Sequence, residues 1–98
     1  MAIFNFNRAI EINPNLALAY CNRGLIYSGF EHFDFAIRDY NRAIALEPTF
    51  AMAYNNRGVA YYNLGKYDLA IDDFQHALEL DPNNQLAKEN IAMIKNQR

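Results

Sequence analysis

The chain has 98 residues, 52% hydrophobic and 20% charged, the composition of an ordinary folded domain and not of a disordered tail. At this size roughly 60–70% of the unfolded surface is buried, enough for one thin core but not for a multi-domain enzyme or a deep enclosed active site. Nine basic and eleven acidic residues leave a formal charge of −2, which argues against a protein held mainly by phosphate contacts, so no nucleic-acid partner is expected.

Cys21 is the only cysteine, so neither an intrachain disulfide nor a cysteine-cluster metal site is expected, and a reducing, cytoplasmic setting is the simplest one. No apolar run approaches the roughly 18–20 residues of a spanning helix, and the N-terminus lacks the basic, apolar, small-residue order of a signal peptide. No membrane partner is expected.

Pro14, Pro48 and Pro82 stand 34 residues apart, and sliding residues 17–50 onto 51–84 makes fourteen positions identical, among them Tyr20/Tyr54, Asn22/Asn56, Arg23/Arg57, Gly24/Gly58, Asp39/Asp73 and Ala43/Ala77. The register runs backwards too. Ala2, Ile3, Phe6, Ala9, Ile10 and Ile12 stand one period before Ala36, Ile37, Tyr40, Ala43, Ile44 and Leu46, so the chain begins in mid-repeat.

Residues 1–16 therefore read as the second helix of an incomplete pair. Without a partner helix, Ile3, Phe4, Phe6 and Ile10 would show part of their apolar surface. Three explanations are open: self-association through Ile3, Phe4 and Phe6, a chain that is part of a longer repeat protein, or an exposed surface that is simply tolerated.

Residues 17–50 form a full repeat of two helices, because Tyr20, Gly24 and Tyr27 share one helical face and Ala36, Tyr40, Ala43 and Ile44 another. Residues 51–84 repeat the pattern. Asn15, Thr49 and Asn83, each directly after a proline, are expected to cap the following helix. Gly65 suits the left-handed turn between paired helices; Glu31 stands at the equivalent place in the first repeat, where Gly29 is expected to serve instead. Asp34 and Asp68 fall in the first turn of a second helix, where the dipole favours negative charge. Residues 85–98 read as a capping helix, with Lys88 in place of the aromatic and Ala92 in place of the glycine. Leu86, Ile91 and Ile94 are expected to point inward, and Lys88, Glu89, Lys95 and Arg98 toward solvent.

Small residues at Gly24, Ala36 and Ala43, and again at Gly58, Ala70 and Ala77, let paired helices approach to about 8–10 Å, with aromatic rings filling the gaps beside them.

These residues resemble the tetratricopeptide repeat family, whose helix pair is marked by an aromatic, a glycine, a tyrosine, two alanines bracketing an aromatic, and a closing proline. Tyr20, Gly24, Tyr27, Ala36, Tyr40, Ala43 and Pro48 meet that pattern, as do Tyr54, Gly58, Tyr61, Ala70, Phe74, Ala77 and Pro82. Arg23 and Arg57 depart from it, standing where the family often has leucine. The resemblance implies an all-α fold, a right-handed superhelical stack of antiparallel helix pairs with about six helices. It also implies a non-catalytic interaction scaffold whose first helices line a concave groove.

On the helical wheel the groove face carries Leu18, Cys21, Asn22, Leu25, Met52, Asn55, Asn56, Val59 and Tyr62, mixed apolar and amide without formal charge. Asparagine offers one acceptor and two donors and so matches a peptide unit, which makes an extended protein segment the expected ligand; a merely solvated helix face would look the same. The groove face offers no lysine or arginine, so charge-assisted capture of a partner's C-terminal carboxylate is not expected. Arg23 and Arg57 each precede an aspartate, Asp39 or Asp73, by sixteen residues, the arrangement of an internal ion pair worth about 0–1 kcal/mol if partly exposed.

No catalytic residue, metal site or cofactor is expected. His32 and His76 lie on different repeats without metal-ligand spacing, and Asp72 and Asp73 point about 100° apart on a helix. Cys21 has no evident base, and there is no glycine-rich phosphate loop.

Overall fold

The structure is a computed structural model in which residues 16–97 are described. Among them are five helices and no strand: α1 (Ala17–Gly29), α2 (Phe33–Leu46), α3 (Ala51–Asn63), α4 (Tyr67–Leu80) and α5 (Gln85–Gln97). The helix expected before Leu16 lies outside the described residues, and so do Ile3, Phe4 and Phe6 with the self-association expected of them.

The turns explain where the helices begin. Phe50 N–H donates to the Glu47 carbonyl (3.1 Å) and Asn84 N–H to the Asp81 carbonyl (3.0 Å), so Pro48 with Thr49, and Pro82 with Asn83, are used up in β-turns. The helix starts one residue later than expected. Thr49 therefore makes no cap, and before α5 it is Asn84, not Asn83, whose Oδ1 accepts from Ala87 N–H at 3.1 Å. Asn15, the third expected cap, lies outside the described residues.

Within each pair the turn has one fixed form. Glu31 N–H bonds to the Ser28 carbonyl and His32 N–H to the Tyr27 carbonyl, both at 2.9 Å; Gly65 and Lys66 repeat this onto Tyr62 and Tyr61. That closure needs a left-handed residue at one position, and Gly65 (φ 78°) and Glu31 (φ 64°) both supply it. Gly29 was the wrong expectation: it stays the last helical residue, and the motif holds Glu31 in the left-handed region despite its Cβ.

Packing follows the size pattern. A Cβ on Gly24 would stand 2.7 Å from Cε1 of Tyr40, and one on Gly58 2.6 Å from Cε1 of Phe74, so only glycine lets these helices meet over buried rings. Tyr20, Cys21, Ala36, Tyr40 and Ala43 form a core with Ala53 and Ala60 of α3. A second core joins Tyr54, Ala70, Phe74 and Ala77 to Ala87 and Ile94 of α5. Ile44 packs against both, so the two merge into a ribbon. Leu86 departs from its expected inward position and is exposed, because Ala87 and Ile94 make the contact with the preceding pair.

Candidate functional site

The charged residues before each glycine are used internally. Arg23 donates from Nε to Asp39 Oδ2 (2.8 Å) and from Nη2 to Oδ1 (2.6 Å). Arg57 grips Asp73 in the same two-pronged way at 2.9 and 2.7 Å, and its Nη1 donates to Asn41 Oδ1 at 2.8 Å, tying the second pair to the first. The aspartates are almost fully buried, more so than a surface pair, and these hydrogen bonds push both arginines above their ordinary range. Each guanidinium also lies over two tyrosine rings, Tyr20 and Tyr27 or Tyr54 and Tyr61.

With those charges withdrawn, α1, α3 and α5 present a neutral face. Leu18, Leu25, Met52 and Val59 are exposed, and Asn22, Asn56 and Tyr62 half-buried. Cys21 and Asn55 are corrections, since both are buried and neither lines the face. Cys21 turns toward the next inner helix: Asn56 Nδ2 on α3 lies 3.6 Å from Cys21 Sγ, and burial raises the thiol pKa above its ordinary 9.0.

Three residues on α5 were missed. Leu86, Asn90 and Met93 stand 34 positions after Met52, Asn56 and Val59, a signal present in the sequence but overlooked because α5 read only as a cap. With them the face is ordered in rows. Leu18, Met52 and Leu86 make one apolar row and Leu25, Val59 and Met93 another, each residue between 37% and 54% exposed. Asn22, Asn56 and Asn90 run between them, four positions from one row and three from the other, one stripe of helix surface. A depression of about 200 Å³ opens between α3 and α5, lined by Val59, Tyr62, Asn63, Phe74, Asn90 and Met93. Asn90 Nδ2 is buried there without a hydrogen-bond partner.

Other candidate chemistry is not brought together. His32 is exposed, His76 stacks on Tyr54 with ring centroids 4.1 Å apart, and Asp73 is committed to Arg57 while Asp72 faces solvent. Among the described residues no group of three His, Cys, Asp or Glu side chains could hold a metal, and no helix is long and apolar enough to cross a membrane.

Stacked antiparallel helix pairs with a continuous inner face define a helical-repeat domain. Residues 51–84 match the tetratricopeptide repeat family model, and residues 1–29 and 32–65 match a second model for TPR repeats. Solved structures agree. The first TPR of Spaghetti (RPAP3), bound to the HSP90 peptide SRMEEVD, superposes with a TM-score of 0.93 at 30% identity over 97% of this chain and 75% of that one. The Arabidopsis OM64 TPR domain gives 0.95 at 31% identity over 98% and 79%. The second TPR domain of human RPAP3, in complex with the HSP70 peptide SGPTIEEVD, gives 0.90 at 32% identity over 95% and 78%. Comparison with curated proteins gave no match. The chain belongs to the tetratricopeptide repeat family.

Proposed function

We propose that this domain is a non-catalytic protein-interaction scaffold that holds an extended segment of a partner protein along the inner face of α1, α3 and α5. The observation that carries this reading is the row of three asparagines between two exposed apolar rows. Amide side chains can pair with the N–H and C=O groups that an extended backbone leaves open, while the apolar rows take its side chains. Peptide complexes of similar domains support the same use of the fold.

The mode of recognition differs from charge capture. Arg23 and Arg57 are bound to aspartates, and no lysine or arginine stands in the rows. A free C-terminal carboxylate would find no fork in these rows. A reducing compartment such as the cytoplasm suits the single buried thiol, Cys21.

The test is fluorescence anisotropy with labelled extended peptides against the native chain and the Asn22→Ala/Asn56→Ala double variant. Loss of binding in a variant that melts like the native chain supports the reading. Unchanged affinity in that variant refutes it.

A further inference from the structure

The rows and the depression also restrict what the ligand can be. Positions seven apart on a helix lie about 10.5 Å apart along its axis, so the apolar rows flank the asparagines at side-chain reach on either side. α1 and α3 touch through Asn56 and Cys21. Packed helices lie about 8–10 Å apart, so three inner helices span about 16–20 Å. An extended chain rises about 3.3 Å per residue and covers that distance with five or six residues.

An extended backbone placed over the asparagines sends successive side chains to opposite rows, because its side chains alternate. A helix in the same place would have its backbone groups already paired and leave the amides nothing to bond. Asn90 lines the depression with its Nδ2 buried and unpartnered, and a turn of that amide toward the opening brings a donor to a ligand carbonyl. A space of about 200 Å³ exceeds the ~150 Å³ apolar cavity that accommodates benzene, so an isobutyl or benzyl side chain fits. A carboxylate or ammonium directed at Val59, Met93 or their row neighbours would be desolvated without a partner.

Resting on the proposed function, we infer that the groove selects an uncharged, extended segment of about six residues with apolar side chains on both edges, one of them seated between Val59 and Met93. Selectivity comes from the neutral rows, and affinity from backbone pairing with Asn22, Asn56 and Asn90.

Three pools of acetylated, amidated hexapeptides test this by titration calorimetry. One is built from Leu, Val, Ala and Thr; the others carry Glu or Lys at alternate positions. The uncharged pool is expected to bind about tenfold or more tighter than either charged pool, and Val59→Asp with Met93→Asp to shift the preference to the Lys pool. Both substituted positions are exposed, and circular dichroism checks that the fold survives. Equal binding of the pools, or preference for the Glu pool, overturns this inference while leaving peptide binding intact. Binding of none overturns both readings. Concentration-dependent dimers that are broken by Val59→Asp would assign the groove to a second copy and also overturn it.

Discussion

Gly58 lies so close beneath Phe74 that a Cβ on residue 58 would stand 2.6 Å from ring atom Cε1, and Gly24 repeats the relation with Tyr40 at 2.7 Å. The rings are fully buried and cannot swing away. Gly58→Ala is therefore expected to destabilise the fold by about 1–3 kcal/mol through overpacking, even though alanine is the better helix former. Urea unfolding of the variant checks this. Gly29→Ala is the control, because nothing lies within 4 Å of a Cβ added there.

Arg57 and Asp73 join α3 to α4 through two short hydrogen bonds with the carboxylate nearly fully buried. Breaking a buried pair costs about 3–5 kcal/mol and an exposed one about 0–1, and the partly exposed guanidinium puts this pair between those limits. Asp73→Ala should cost about 2–3 kcal/mol in chemical denaturation. A double-mutant cycle with Arg57→Ala should show a coupling well above that of a surface pair.

High pH should weaken the fold. Burial raises the Cys21 thiol pKa above 9.0 and that of the Tyr40 hydroxyl from 10.0 to about 12, so both groups hold their protons in the folded chain where the unfolded chain has lost them. The folded state then binds more protons, and stability falls as pH rises. The contribution of these groups is complete below pH 9 and declines between there and about 12. Tyr40→Phe, which copies Phe74 of the next repeat, should flatten the upper part of that decline, as measured by urea midpoints across the range.

Asn84 begins α5 by accepting a hydrogen bond from Ala87 N–H. Asn84→Ala should cost about 0.5–2 kcal/mol. Amide hydrogen exchange should quicken in the first turn of α5 before it does elsewhere.

The 34-residue period was legible because each repeat must solve the same packing problem: glycine under a ring, alanines beside it, proline in the turn. The Arg23 and Arg57 pairs were legible for the same reason, since opposite charges recurred at one spacing. The helices after Pro48 and Pro82 start one residue later than local capping preference suggests, because each of those two β-turns takes up the next residue as well. Glu31 was passed over in favour of Gly29 because local preference was weighed above the fixed turn register. The wheel of an isolated helix places Cys21 and Asn55 on the groove face, but burial in the stack withdraws both from it. Leu86, Asn90 and Met93 were hidden by substitutions on the other face of α5, where Lys88 and Ala92 broke the repeat pattern.

Binding of this kind lays a partner's backbone along the asparagine row. A nuclear magnetic resonance titration of the native chain with an uncharged apolar hexapeptide, following the side-chain amide signals, reads that placement residue by residue. Asn22, Asn56 and Asn90 are expected to shift together and saturate with one affinity, while Asn41 on α2, bonded to Arg57, stays in place. Shifts confined to α2 and α4, with the three inner asparagines unmoved, would contradict it.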